Sequence, residues 1–205
     1  PAVLAAAIIR NSAEYYPIYA EREFTYNNIK QGNRNALLYT DPTVDGLKTG
    51  HTEEAGYCLV ASSTRNGMRL ISVIMNANSK QARADQTRVL FNWGYANYEQ
   101  ATPAQAGATL TNAKVLYGVV PEVAAGLAKP WTLVVPKGQA AAVKTEITLN
   151  PGLEGPVAKG AVIGKAVASA NGKVLGEAPV VALADVERAG FFLRIKQRVA
   201  GWFSK

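Results

Sequence analysis

With 205 residues, 48% of them hydrophobic and 18% charged, the sequence has the balance of a folded globular chain and length for one large core or two small ones, which excludes a disordered tail. The formal net charge is +7, but from Glu187 onward five basic residues meet a single acidic one, so more than half of the excess lies in the last stretch. With no aromatic-studded basic pattern elsewhere, nucleic acid is excluded as the expected partner.

The opening run from Pro1 to Ile9 is apolar, lacks a basic leader and is far shorter than a membrane span. A buried helix is expected there, and a signal peptide is not. Residues 56–63 and 68–76 are β-branched and aliphatic runs joined by Thr64-Arg65-Asn66-Gly67, and Asn-Gly predicts a hairpin. Ser79 is placed to cap a following helix, in which Ala82, Gln86, Val89, Leu90, Trp93 and Ala96 recur at helical spacing as one expected buried stripe. Gly94 sits late in that helix at a cost for which the sequence offers no reason. From about Gln100 to Asp185 charges thin out, and Gly and Pro punctuate short runs such as Trp131-Thr132-Leu133-Val134-Val135. Asn171-Gly172 marks a second hairpin, and the pattern predicts a small β-sandwich or barrel. At the end, Phe191, Phe192, Ile195, Val199, Trp202 and Phe203 fall on one helical arc of roughly 120°, with Arg194, Arg198 and Lys205 on the other side and Lys196 at the boundary. Such a segment is too short and too charged to span a bilayer but has the makeup of an interfacial helix drawn to an anionic membrane surface. The alternative is a terminal helix docked on the preceding domain.

One stretch bears on chemistry: Asp45-Gly46-Leu47-Lys48-Thr49-Gly50-His51-Thr52, continued by Ala55-Gly56-Tyr57-Cys58-Leu59-Val60-Ala61-Ser62. A Lys-Thr-Gly triplet on an apolar strand suits the binding of an extended peptide, which adds to the sheet edge as one more strand. Gly50 lets that backbone come close, Lys48 places an ammonium where negative charge develops, and the Thr49 hydroxyl can donate to a carboxylate. His51 is the only histidine, and no Gly-x-Ser-x-Gly elbow exists to partner it. One His and one Cys do not make a zinc site, so no metal is expected. Cys58 is the only cysteine, which excludes an internal disulfide and reads as a packed strand residue. No Ser-x-x-Lys occurs anywhere in the chain. Ser169-Ala170-Asn171 formally matches Ser-x-Asn, but it lies at the second predicted hairpin and reads as a chance match.

Around the triplet the chain resembles the D-alanyl-D-alanine carboxypeptidases, the low-molecular-mass penicillin-binding proteins. The likeness extends to Phe24-Thr25-Tyr26-Asn27, Asn33-Arg34-Asn35, Met68-Arg69-Leu70-Ile71-Ser72-Val73 and Trp93-Gly94, then to the β-rich region and the tail. It implies an α+β chain: residues 1–99 as the C-terminal part of a penicillin-binding/β-lactamase-like domain, 100–186 as a small β-sandwich domain, and 187–205 as an amphipathic membrane-anchor helix. It implies a serine enzyme without cofactor that removes the terminal D-alanine of peptidoglycan pentapeptides ending in D-Ala-D-Ala, with β-lactams as slow substrates, peripheral on the periplasmic face of the bacterial cytoplasmic membrane. By the same resemblance Lys48 is the catalytic cation. Thr49 and Arg83 recognise the terminal carboxylate, Gly50 and His51 belong to the substrate strand, and Arg34 lies near the cleft. The missing Ser-x-x-Lys makes these residues read as the C-terminal part of a longer enzyme, inactive by themselves. The alternatives are a non-catalytic envelope-binding module and a class A-like β-lactamase relative.

Overall fold

The computed structural model describes the backbone from Pro1 to Trp202 and the side chains from Pro1 to Lys196. α-Helices and β-sheets are mixed in two compact units, Pro1–Glu99 and Gln100–Lys205.

In the first unit, α1 (Ala2–Asn11) and a 3₁₀ turn at Tyr16–Ala20 precede a hairpin of β1 (Glu23–Tyr26) and β2 (Ile29–Gly32). Its turn residues, Asn27 and Asn28, both have positive φ (49° and 60°), a conformation that asparagine tolerates. A single turn, α2 (Leu37–Thr40), leads into the antiparallel sheet of β3 (Val44–Thr52), β4 (Gly56–Arg65) and β5 (Met68–Ala77). Strand order is β3-β4-β5, which leaves one edge of β3 open among the described strands. The Asn66-Gly67 turn joins β4 to β5 with φ of 49° and 81°, and Arg65 pairs with Met68 across it.

β4 shows why both faces of this sheet are covered. Its Leu59 and Ala61 pack with Leu37, Leu38, Ala84 and Phe91 on one side. Val60, one residue out of phase, packs with Ala5, Tyr16 and Leu47 on the other. α1 therefore forms as expected, but it is not buried: only Ala5 is fully enclosed, Ile8 and Ile9 are partly covered, and Val3 and Leu4 are exposed. A spacing of i, i+3, i+4 gives it one packed face.

α3 (Lys80–Asn97) begins as the sequence suggests, with Ser79 Oγ accepting from Ala82 N at 2.9 Å. The expected stripe is overturned. The buried face is Arg83, Ala84, Thr87, Phe91 and Gly94, whereas Val89, Leu90 and Trp93 are exposed, as are Gln86 and Ala96. The reason is that the buried face sets the polar Arg83 and Thr87 and the small Ala84 and Gly94 beside a single large residue, Phe91, so a stripe traced through Val89, Leu90 and Trp93 selects the wrong face. Gly94 now has an explanation. A Cβ there would meet Leu70 Cδ1 at 2.6 Å, so glycine permits the close approach of helix and sheet.

β6 (Tyr98–Ala104) leads into the second unit, with β7 (Thr109–Lys114), β8 (Glu122–Gly126), β9 (Trp131–Pro136), β10 (Lys144–Leu149), β11 (Val162–Ala170) and β12 (Lys173–Ala182). They form a five-stranded sheet of order β10-β11-β12-β8-β7 and a two-stranded sheet of β6 and β9. The Asn171-Gly172 turn joins β11 to β12, with Ala170 opposite Lys173. The core is aliphatic and tightly filled, with Ala125, Ile163, Ala166 and Val180 at its centre. α4 (Phe191–Trp202) follows. Phe191, Phe192 and Ile195 are exposed on it. Arg194, expected on the side away from the aromatics, instead borders a pocket together with Phe191 and Ile195, because residues three and four apart share a helix face. The side chains of Val199 and Trp202, and the whole of Phe203, lie outside the described residues. No described helix is long and apolar enough to cross a membrane.

Candidate active site

The outer half of β3 forms one wall of a cleft of about 650 Å³. Lys48, Thr49, Gly50 and His51 line it along the strand, Arg34 comes from the loop before α2, and Arg83 from α3. All six residues singled out from the sequence thus meet in one place. Tyr57 of β4 and Lys80 at the start of α3 line it too, and sequence reasoning missed both. Tyr57 could have been found from strand register, since it pairs directly with His51. Lys80 carries no signal beyond its place one helical turn before Arg83.

The register brings these groups together. Thr49 pairs with Leu59, Gly50 with Cys58 and His51 with Tyr57. The lower half of β3 is buried at Val44, Gly46 and Leu47, whereas Lys48 and the residues from Gly50 to Thr52 are exposed. Gly50 is informative because nothing in the fold requires it. A Cβ there would lie 3.7 Å from Cys58 Cβ, an ordinary contact, and its φ is not in the left-handed region. Gly46, by contrast, is needed internally, since a Cβ would come within 2.8 Å of the Tyr16 hydroxyl.

Arg83 is the tie that closes the site. It is 4% exposed, and its guanidinium donates to three backbone carbonyls: Gly50 O and Cys58 O at 3.3 Å and Arg34 O at 3.1 Å. One side chain therefore joins β3, β4 and the Arg34 loop. Burial pulls its pKa below the usual arginine value, and the nearby Arg34 charge acts in the same direction. The ionisable groups of Tyr57 and Cys58 act in the opposite direction. The Tyr57 ring lies 5.8 Å from the Arg83 guanidinium, and the His51 ring 4.0 Å from Tyr57 on centroids.

Asn33 and Asn35 explain the neighbourhood of Arg34. Asn33 donates to Glu21 O and accepts from Asn35 N, at 2.9 and 3.0 Å. Asn35, 1% exposed, donates to Gly46 O at 3.0 Å and accepts from Leu37 N at 3.2 Å. The pair pins the loop to β3 and leaves the Arg34 side chain exposed on the cleft. Beneath β3, Asp45 accepts from the Tyr16 hydroxyl at 3.0 Å and from Arg69 at 2.8 Å. Burial, with the Asp45 carboxylate beside it, pushes the Tyr16 pKa up to about 12. Cys58 is half-buried, its Sγ directed to Ala55 O at 3.3 Å. Ser169, Ala170 and Asn171 lie in the second unit, at the end of β11 and its turn.

Residues 1–79 match the family model "D-alanyl-D-alanine carboxypeptidase", and residues 98–188 match "Penicillin-binding protein 5, C-terminal domain". The chain is 43% identical to D-alanyl-D-alanine carboxypeptidase DacA of Haemophilus influenzae over 93% of its own length and 49% of the relative. It is 38% identical to DacC of Escherichia coli, over 99% of this chain and 53% of the relative. Penicillin binding protein 5 from Haemophilus influenzae superimposes with a TM-score of 0.75 at 41% identity, covering 91% of this chain and 55% of that one. The chain therefore spans about half the length of the curated relatives it matches. On these matches it belongs to the D-alanyl-D-alanine carboxypeptidase family of low-molecular-mass penicillin-binding proteins.

Proposed function

We propose that these residues form the C-terminal half of a serine-type D-alanyl-D-alanine carboxypeptidase, which removes the terminal D-alanine of peptidoglycan pentapeptides and is acylated by β-lactams. The observation that carries this reading is the open edge of β3, where a glycine that the fold does not need is flanked by cations. In this reading the peptide adds antiparallel to β3, and Gly50 and His51 supply strand backbone. Thr49 and Arg83 hold the terminal carboxylate, Arg83 with the donors not already given to backbone carbonyls. Arg34 adds positive charge at the mouth. Lys48 stabilises negative charge as a serine attacks the carbonyl between the two D-alanines. The C–N bond then breaks, D-alanine leaves with the proton, and water releases the shortened peptide from the acyl-enzyme. That serine belongs to a Ser-x-x-Lys motif not found among these 205 residues. Residues 100–186 are read as a small β-sandwich domain. Residues 187–205 are read as an amphipathic anchor on the periplasmic face of the cytoplasmic membrane, on the strength of exposed Phe191, Phe192 and Ile195 and the surrounding basic residues.

The test uses fluorescent penicillin and a denaturing gel. The 205-residue chain alone is expected to stay unlabelled, whereas a chimera carrying the upstream half of the Haemophilus influenzae relative becomes labelled and releases D-alanine from a pentapeptide. A labelled band on the chain alone, or a folded chimera that takes no label, overturns the proposal.

A further inference from the structure

At the root of α4 lies a pocket of about 390 Å³, lined by Tyr117, Glu154, Arg188, Phe191, Arg194 and Ile195. All six belong to the second unit. The backbone builds the place. The segment at Tyr117 is laced to two others: Leu116 N donates to Leu153 O and Gly155 N to Leu116 O, both at 2.8 Å, while Ala189 N donates to Tyr117 O at 2.7 Å. Bridges from Leu116 to Glu154 and from Gly118 to Arg188 bring both charged residues to that segment. Gly155 keeps it tight, since a Cβ there would lie 3.0 Å from Gly118 Cα. Tyr117 is held at a φ of 57°, a left-handed conformation that a bulky residue adopts only where its surroundings impose it.

Two guanidiniums and one carboxylate share this pocket without pairing, for no ion pair of the described residues includes Glu154, Arg188 or Arg194. Arg194 Nε is enclosed and has no hydrogen-bond partner among those residues. Such a donor costs free energy until an acceptor is supplied. A phosphate supplies it well, because its oxygens match the guanidinium fork. Glu154 offers a counter-charge to a primary ammonium, and an aromatic such as Tyr117 attracts the same cation. Phe191 and Ile195 are exposed and add an apolar edge on the helix. A phosphodiester, a nearby ammonium and hydrocarbon occur together in a phospholipid with an ethanolamine headgroup. We infer that this pocket is a headgroup site that selects phosphoethanolamine lipids. It rests on the reading of α4 as an interfacial helix and adds a choice of lipid to it.

The test titrates the full 205-residue chain with glycerophosphoethanolamine, glycerophosphocholine and inorganic phosphate, following the Tyr117 and Arg188 amides by NMR. The ethanolamine diester is expected to bind about two- to fivefold more tightly than the choline one, whose methylated nitrogen cannot donate to Glu154. Glu154→Gln should close that gap, and Arg188→Ala should weaken both diesters; both side chains are exposed, so the fold is kept. On vesicles of phosphatidylglycerol mixed with equal amounts of phosphatidylethanolamine or phosphatidylcholine, the ethanolamine preference should again disappear in Glu154→Gln. Inorganic phosphate that binds as tightly as the ethanolamine diester marks a free-anion site and overturns the inference. So does a preference that survives Glu154→Gln, or amides that none of the three probes shifts. Strong vesicle binding that is indifferent to headgroup overturns the pocket and leaves the interfacial helix standing. No binding to either vesicle removes the interfacial helix, and the lipid assignment with it.

Discussion

The two units solve the problem of a stable core in opposite ways. In the first, six polar or charged side chains are buried: Asn35, Ser62, Ser63, Ser72, Arg83 and Thr87. In the second, no polar side chain is buried among the described residues, and the core is alanine, valine, leucine and isoleucine. Burying polar groups is costly unless each finds a partner, so a chain that does so repeatedly in one unit has a use for it there. Here the use is directional. Asn35 fixes the Arg34 loop to Gly46, and Arg83 binds two strands and that loop through their carbonyls. Apolar packing could fill the same space, but it would not fix the edge of β3 as directionally as these hydrogen bonds do. The second unit carries no such cleft residues, and its core answers only to volume.

The sharpest way to break this contrast is to remove a charge that the core of the first unit does not use. Lys48 is exposed on the cleft and supports no core residue. In the labelled chimera, Lys48→Ala is expected to slow acylation by fluorescent penicillin by about 10²- to 10³-fold, the range for loss of a preorganised charge, while thermal unfolding moves little. Near-normal acylation would mean that the triplet is a structural strand. The counterpart in the second unit is the tail. Deleting residues 191–205 should lower co-sedimentation with anionic liposomes by about a hundredfold, from lost aromatic insertion and lost basic charge, with the β-rich core intact by circular dichroism. Unfolding of that core, or unchanged sedimentation, would favour a helix docked on the domain.

The next two substitutions probe the cores themselves. Asn35→Ala leaves Gly46 O and Leu37 N without their partner in a dry site, and should destabilise the first unit by about 2–4 kcal/mol in urea titrations. Val180→Thr in the second unit keeps the shape and adds one hydroxyl where no polar side chain is buried, for a loss of about 1–3 kcal/mol. If Val180→Thr proves neutral, the second core tolerates polarity and the contrast weakens.

How much of this was readable in advance follows the same division. Turn chemistry gave the Asn66-Gly67 and Asn171-Gly172 hairpins, because a type I′ turn depends on two local φ values. The triplet, Arg34 and Arg83 were legible through motif and resemblance, and they do meet in one cleft. The buried face of α3 was not legible. It is made of Arg83, Ala84, Thr87, Phe91 and Gly94, and a helix that buries an arginine and a threonine defeats any rule that equates apolar with inside. The opening helix failed in the mirror sense, with Val3 and Leu4 outward. Tyr57 and Lys80 needed register and tertiary placement, which no local pattern contains.

The smallest expected effect lies beneath β3 and depends on pH. Tyr16 is 8% exposed, donates to Asp45, and has its pKa pushed up to about 12 by burial and by that carboxylate. A phenol whose folded pKa lies above its free value of about 10 binds its proton more tightly in the native state. Its contribution is therefore complete below pH 10 and is lost as pH rises toward 12. The first unit should weaken over that interval beyond what lysine titration causes. Tyr16→Phe removes the ionisable group, so its urea midpoint should fall less steeply above pH 10 than that of the unsubstituted chain. At pH 7 the same substitution forfeits the hydrogen bond to Asp45, a loss of about 1 kcal/mol, because Arg69 still pairs with that carboxylate at 2.7 Å. The two stability curves should accordingly converge as the solution becomes alkaline. Curves that stay parallel from pH 8 to 11 would show that Tyr16 ionises as freely in the fold as in water, and that the polar layer under β3 is wetter than its burial indicates.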